Sequence, residues 1–307
     1  MTDTTLSTAG LGRRFTAGHF ALRLGSGPAA DVTLLAKDFD GGAVYADVIP
    51  EFDAGMHFSR KHLGPTKYEE FTLPLRLSMS DLLFDWIAGS WGADPESKDG
   101  AVLTLDHNFG IRTETAFGGA LITGTTIPLL DASSKDPGYL TVRFQPEVIQ
   151  RKAGAGKLSL LLGSKPKLWQ AANFRLQIGG LDCTKVARIE SFTVRREVVL
   201  HSSGAGGTTS IAGRVTFPNL LITLTQVSAQ TWYEWHEDFV VNGNNGEGDE
   251  RSGTLSFLTP DLKQELSRID LHHLGIVRIE PAGGPMARVT AELYCEEMRL
   301  KRSGGSP

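Results

Sequence analysis

Residues 71–86 have the sequence FTLPLRLSMSDLLFDW, and residues 220–235 repeat its pattern as LLITLTQVSAQTWYEW. Trp86 and Trp235, which end these stretches, lie 149 positions apart, and residues 140–147 match residues 289–296 at the same offset. Because an internal repeat fixes both domain boundaries and architecture, the pattern predicts one small β-domain present twice. A duplicated fold without an obvious reaction centre indicates a role in assembly.

The length of 307 residues agrees with two domains of about 150 residues each, each with its own hydrophobic core. Gly/Ser-rich and Lys-containing sequence between the halves is typical of a linker. The predicted organisation is an N-terminal arm at 1–17, a first domain at 18–152, a linker at 153–169, a second domain at 170–303 and a tail at 304–307.

Short stretches of alternating apolar and polar residues predict strands with one buried face. Phe20 to Leu24 opens the first half in this way, and Phe174 to Ile178 opens the second. Further strands are expected at 44–49, 71–77, 101–105, 139–144, 191–199, 220–224, 254–258 and 288–294. Five or six strands in each half predict a mainly β chain of closed or nearly closed barrels. Residues 201–213, rich in Gly, Ser and Thr, are expected to form a flexible loop.

One short α-helix is expected in each half, directly after the strand that begins at residue 71 or 220. Ser78 or Ser80 can cap the first helix, and Asp81 suits the positive end of its dipole. An aromatic residue on an amphipathic helix usually belongs to the core. The helices are therefore expected to plug the barrels with Leu83, Trp86, Trp232 and Trp235.

Composition excludes several classes of function. The net charge of −4 provides no global basic field for nucleic acid or an anionic membrane. No stretch has the roughly 20 apolar residues of a membrane-spanning helix, and residues 1–12 do not resemble a secretory signal. Cys183 and Cys295 are too few for a disulfide framework or a four-cysteine zinc site, so reduced thiols are expected.

Two stretches resemble known catalytic or binding motifs, but each lacks residues that the motif requires at fixed spacing. Gly154-Ala155-Gly156-Lys157 resembles the end of a phosphate loop but lacks the first glycine and the final Ser or Thr. His236-Glu237 lacks the second histidine of a zinc protease. His272 and His273 would face opposite sides of a strand and could not easily share a metal. We therefore expect no catalytic residue, no metal site and no cofactor.

Residues 60–73, RKHLGPTKYEEFTL, together with SDLLFDW at 80–86, resemble the tail tube proteins of contractile phage tails and phage-like contractile injection systems. That family carries a basic, glycine-containing loop of Leu-Pro-Gly-Leu-Thr-Lys-Tyr character, then an outer strand, then a short helix with Asp-Leu and Trp. This chain has Gly64-Pro65 where the family has Pro-Gly. The resemblance covers about 18–152, and 170–303 only in the order of its elements.

The resemblance implies two tandem tail-tube-like β-barrels, whose inner strands join around a ring of six and whose rings stack into a hollow tube. Two barrels per chain let three chains close a pseudo-sixfold ring. In the family, the loop corresponding to 60–68 contacts the neighbouring ring. The ring-stacking candidates are therefore Arg60, Lys61, Leu63, Gly64, Pro65, Lys67 and Tyr68.

Implied partners are copies of the chain itself, sheath, baseplate or tape-measure proteins, and a channel cargo of DNA or an effector. Assembly is expected in the cytoplasm, and the product in a virion tail or a phage-like injection particle, without membrane insertion. The alternatives are a trimeric hub or adaptor at the junction of tube and baseplate, and a carbohydrate-binding β-protein that uses exposed Trp91 and Trp169. An enzyme with scattered catalytic residues, such as His236 or His272, is the third class.

Overall fold

The structure is a computed structural model that describes residues 19–25, 31–36, 38–52, 54–77, 79–158, 169–202, 208–283 and 287–303. Most of the predicted arm, linker and tail, and Ser78 as a possible helix cap, lie outside these residues. The predicted mainly β class with one short α-helix in each half is confirmed. Within the described residues, neither helix is both long and apolar enough to cross a membrane.

The elements of the first half follow in chain order. They are β1 (His19–Leu24), β2 (Asp31–Ala36), β3 (Asp40–Gly41), β4 (Val44–Glu51), β5 (Arg60–Tyr68), β6 (Phe71–Leu75), α1 (Asp81–Gly89), β7 (Lys98–Leu105), β8 (Ile111–Ile127), β9 (Leu130–Asp131), β10 (Leu140–Gln145) and β11 (Val148–Ala153). Helix α1 begins after Ser80, whose Oγ accepts a hydrogen bond from the backbone N–H of Leu83 at 3.3 Å.

The second half repeats this succession with fewer strands. Its elements are β12 (Phe174–Ile178), β13 (Val186–Ile189), β14 (Phe192–Ser202), β15 (Thr208–Thr216), β16 (Leu220–Thr225), α2 (Gln230–His236), β17 (Arg251–Leu258), β18 (Glu265–Ala282) and β19 (Arg288–Arg302). A 3-10 turn at Gln226–Ser228 precedes α2, and a π-helical turn at Glu237–Val241 follows it.

Six consecutive strands of the two main sheets follow the same order. The first runs β2-β1-β7-β8-β10-β6-β3, and the second runs β12-β17-β18-β19-β16-β13-β9. Matching by order pairs β1 with β12, β7 with β17, β8 with β18, β10 with β19, β6 with β16 and β3 with β13. The hairpin β4–β5 then corresponds to the hairpin β14–β15.

The hydrophobic core differs from the predicted pair of separate cores. One large cluster of buried residues includes side chains of both sheets, with Ile127, Leu130, Ile189, Phe192 and Val194 among its members. Those five residues lie on strands that meet between the halves. The cores merge because each half contributes strands to the sheet of the other.

Two segments expected to be loops are strands. Residues 60–68 form β5, which pairs with β4 from Val44↔Tyr68 to Glu51↔Arg60. Pro65 fits this strand because a two-stranded ribbon leaves edge positions whose N–H needs no partner. Within 201–213, β14 continues to Ser202 and β15 begins at Thr208, and the two strands pair as a hairpin.

Both cysteines are free thiols, and burial raises the pKa of each to about 11. Because the thiolate is the reactive form, alkylation by iodoacetamide near pH 8.5 is expected to be about a hundredfold slower in the folded protein than in urea. Mass spectrometry of samples quenched over time measures this ratio. Equal rates in the two states would show that the thiols are accessible in the folded protein, and would contradict their burial.

Candidate assembly interface

The two halves meet through a β-ladder that we call the internal joint. Residues Phe192–Arg195 of β14 pair antiparallel with Gly124–Ile127 of β8. On this edge of β8, residues up to Ala120 pair with β7. Beyond the end of β7, the hairpin of the second half takes over the pairing with β8. The hydroxyls of Thr126 and Thr193 lie 2.9 Å apart across the joint.

Apolar burial accompanies this ladder. Phe192 and Val194 are buried, with Val194 only 3% exposed. Beside them, β9 of the first half pairs with β13 of the second through Leu130↔Ile189, and both of these side chains are fully buried. The internal joint is therefore a closed, apolar contact between sheets that originate in different halves.

A buried arginine fixes the hairpin β14–β15 against the first half. The guanidinium of Arg196 donates to the carbonyl oxygens of Ser90 at 2.9 Å, of Gly213 at 2.8 Å and of Gly92. Burial lowers the pKa of Arg196, yet three carbonyl acceptors favour the charged form. Two of these carbonyls follow helix α1, so Arg196 connects both strands of the hairpin to the first half.

The end of β19 makes a second contact between the halves. Arg302 donates to the carboxylate of Asp81 and to the carbonyl of Ser80, the latter at 3.2 Å. Its guanidinium also lies 4.6 Å from the centre of the Phe84 ring. The Arg302 side chain of the second half therefore contacts helix α1 close to its N-terminal end.

The hairpin of the first half has no such partner, and we call it the free hairpin. Among the described residues, β4 and β5 pair only with each other. A hairpin by itself is at best marginally stable in water. Its exposed large apolar residues are Val44, Tyr45, Val48, Ile49, Phe52, Met56, Phe58 and Leu63. Such an apolar surface is typical of an interaction site.

Register shows which residues of the two hairpins correspond. Tyr45 pairs with Lys67, four residues before β6 begins, and Arg195 pairs with Thr216, four residues before β16 begins. Val44 therefore takes the position of Val194. Val44 is 52% exposed, whereas Val194 is 3% exposed. The same strand position is covered in one hairpin and open in the other.

The strand that would receive the free hairpin is open as well. On one edge of β18, the pairing with β17 ends at Leu274. On the opposite edge of β18, Arg278–Ala282 pair with β19. In the part of the chain that the structure describes, no strand pairs with the remaining side of Arg278–Glu280, which we call the open edge. This edge corresponds to Gly124–Thr126 of β8.

The ring-stacking candidates all lie on β5 of the free hairpin. Leu63 is 76% exposed, and Lys67 forms an ion pair with Asp47 across the hairpin. The hydrogen bond that Lys67 donates to Asp47 raises the pKa of Lys67. The stacking role of these residues stays a prediction.

The four plug candidates are all buried. Leu83 and Trp232 are fully buried, and Trp86 and Trp235 are nearly so. Trp86 packs on Phe144 at a centroid distance of 5.5 Å and donates to the carbonyl of Glu96. The helices therefore cover one face of each sheet, and the plug role itself stays a prediction.

Trp91 and Trp169, on which the carbohydrate-binding alternative depended, are not exposed. Trp91 is 5% exposed and Trp169 is 3% exposed. Trp169 donates its indole N–H to the carbonyl of Asn173 at 3.1 Å. Both rings belong to the core, so neither offers a stacking surface for a sugar.

A cluster that the sequence reasoning missed lies at Glu250, His273 and Glu296, whose potential ligand atoms lie within 4.8 Å of one another. Its members come from separated positions, so no local motif marks it. Glu250 accepts hydrogen bonds from His273 and Tyr294, each at 2.7 Å. The hydrogen bond to Glu250 raises the pKa of His273, and the two side chains form an ion pair when the imidazole is protonated. His272 is not part of this cluster.

Among known proteins, this chain is similar to solved structures. No family model matches the chain, and no curated protein matches it. One similar structure is a chain of an extracellular contractile injection system, the PVC sheath-tube complex in its extended state. It has 19% identity and a TM-score of 0.40, and the match covers 49% of this chain and 99% of that one.

Two further solved structures are similar to this chain. The PVC sheath/tube terminator has 18% identity and a TM-score of 0.40, over 47% of this chain and 100% of the other. Hcp1 from Flavobacterium johnsoniae has 13% identity and a TM-score of 0.26, over 43% and 95%. These likenesses are low, and the proposals below rest on the strands and contacts of this chain.

Proposed function

We propose that this protein is a structural subunit of a phage or phage-like contractile tail tube, and that its two halves are duplicated tube domains. The internal joint carries the proposal, because it is a complete contact between two such domains inside one chain. The order shared by six consecutive strands of the two main sheets supports the duplication.

The free hairpin and the open edge are the two parts of a second joint with equivalent strand pairing. In this arrangement the free hairpin of one copy pairs with the open edge of the next copy, with Val44 and Tyr45 facing Ile279 and Arg278. The pairing ends at Pro281, which has no N–H to donate. A head-to-tail contact of this kind closes into a ring when the rotation per subunit allows it. Two domains per chain then give a trimer with pseudo-sixfold symmetry.

Stacking of the rings is assigned to β5, the strand of the free hairpin that does not pair with the open edge, and there to Arg60, Lys61, Leu63, Gly64, Pro65, Lys67 and Tyr68. Only the first half carries this segment, so three such hairpins would project from each ring. Sheath, baseplate or tape-measure proteins are the expected further partners, and DNA or an effector the channel cargo. The protein assembles in the cytoplasm and functions in the tail particle, without an enzymatic role.

The mass of the assembled species tests the proposal. Native mass spectrometry is expected to find three copies of the 33.2 kDa chain, and electron microscopy to find rings and stacks of rings. A protein that stays monomeric at high concentration would contradict the proposal. A ring of six chains would contradict the pseudo-sixfold closure.

A trimeric hub or adaptor at the end of a tube is the second candidate. The difference between the two hairpins favours it. Both hairpins expose apolar side chains, with Val199, Leu200 and Ile211 on the second, but only the first carries the basic segment with Gly64-Pro65. An adaptor forms single trimers that do not stack into long tubes. The length distribution of particles in electron micrographs separates the two candidates.

A further inference from the structure

A row of side chains crosses the internal joint on the face opposite the helices. Register aligns Thr72, Arg143, Gly124, Arg195 and Thr216 on the neighbouring strands β6, β10, β8, β14 and β15. Residues directly opposite each other in a sheet present their side chains on the same face. The two arginines therefore flank a glycine, and we call this group the arginine notch.

The arginines of the notch form no ion pair within the described residues, although Glu70 and Glu197 line the same cleft. Arg143 and Arg195 are both exposed, and neither makes a hydrogen bond or an ion pair with any residue in the described ranges. Their strands are separated by one strand, or roughly 10 Å, so the two positive charges repel each other. An anion held between them would remove that repulsion.

Gly124 places no side chain between the two arginines. A Cβ added there would have no heavy atom nearer than 3.7 Å, so the glycine is not required by crowding. The notch is part of a cleft of about 470 Å³ that Thr193, Thr216, Glu70 and Glu197 also line. Glu70 accepts a hydrogen bond from Thr123, and Arg196 is bound to carbonyls, which leaves Arg143 and Arg195 as the free donors.

The corresponding row of the second half is neutralised internally. Glu292 stands at the position of Arg143, opposite Leu221 of β16, and Arg278 stands at the position of Gly124. The guanidinium of Arg278 lies 3.2 Å from the carboxylate of Glu292. The second half thus has an ion pair at these positions, whereas the first half has two arginines on either side of a glycine.

We propose that Arg143 and Arg195 together bind a phosphate group over Gly124. Guanidinium groups bind phosphate oxygens through paired hydrogen bonds that are stronger than neutral ones, and the Thr216 hydroxyl adds a donor. The phosphate belongs either to a nucleic-acid backbone or to a free polyphosphate. The notch lies within one chain, so phosphate binding does not depend on ring formation.

Calorimetric titration of the whole protein at about 50 mM salt, where screening is weak, tests the site with two probes. These are tripolyphosphate and a single-stranded oligonucleotide. We expect Arg143→Gln and Arg195→Gln each to weaken binding by about tenfold or more, and Arg143→Lys to weaken it less. The matched control is Arg175→Gln, which removes an exposed arginine of β12 outside the notch and the open edge and should leave the affinity unchanged.

Tighter binding of the oligonucleotide would assign the site to nucleic acid, and tighter binding of tripolyphosphate to a free phosphate compound. The proposal is overturned if the wild-type protein binds neither probe, or if both Gln variants bind as tightly as the wild type. The mass of each sample, measured in parallel, reports assembly separately. A protein that binds phosphate as a monomer would therefore support the notch and contradict the ring.

Discussion

Val44→Asp is expected to give a folded monomer that no longer assembles. Val44 is 52% exposed in the chain, so the substitution costs little stability in the monomer. In the proposed ring its position becomes buried like that of Val194, and an unpaired carboxylate there costs about 3 kcal/mol. The association constant of each joint then falls roughly a hundredfold, and a closed trimer contains three such joints. Sedimentation velocity over a range of protein concentrations measures the effect.

Two other substitutions serve as controls for this result. Leu262→Asp places the same charge on another half-exposed apolar position, in the turn after β17, and should not alter assembly. Val194→Asp buries the charge inside the chain and should instead destabilise the fold of the monomer. If Val44→Asp assembles as the wild type does, the free hairpin is not part of the ring contact.

Strands with one buried face were predictable from sequence, because their side chains alternate in burial. Phe174–Ile178 is a strand with the predicted bounds, and helix α1 begins at Asp81 after the Ser80 cap. The strand β8 was missed. It contains Gly118, Gly119 and Gly124, and most residues of its second half are buried on both faces, so the period of two is lost.

The candidate interface could not be predicted from local pattern. The pairing of Phe192–Arg195 with Gly124–Ile127 joins residues far apart in the chain, and a ladder between sheet edges leaves no periodic signal. Arg196 offers no motif either, since its partners are backbone carbonyls of residues 90, 92 and 213. The repeat itself carried the useful signal, because it allows one joint to be inferred from the other.

Arg196→Met is expected to lower the free energy of unfolding by about 3 kcal/mol. The substitution retains apolar volume but removes three hydrogen bonds to carbonyl oxygens, and buried acceptors without donors cost about 1–3 kcal/mol each. Part of this cost is recovered where water reaches the freed carbonyls. Urea unfolding followed by circular dichroism measures the difference from the wild type.

Arg195→Met is the matched control, because Arg195 is the preceding residue of the same strand, is exposed and has no ion-pair partner among the described residues. Its effect on stability should stay within about 0.5 kcal/mol. Arg196→Lys should lie between the two, since one ammonium cannot reach three carbonyls in the fixed directions of a guanidinium. Equal stability of the Met variants would show that Arg196 does not hold the hairpin.

The position of Arg196 in the second hairpin corresponds to Ala46 in the first, because Arg196 pairs with Val215 and Ala46 with Thr66. The proposed joint between chains therefore lacks the three hydrogen bonds that stabilise the joint within the chain. An Ala46→Arg variant is expected to strengthen association between chains if the backbone after α2 offers carbonyls as residues 90 and 92 do. Sedimentation would then show trimers at lower protein concentration than the wild type requires, whereas an unchanged midpoint would contradict the equivalence of the two joints.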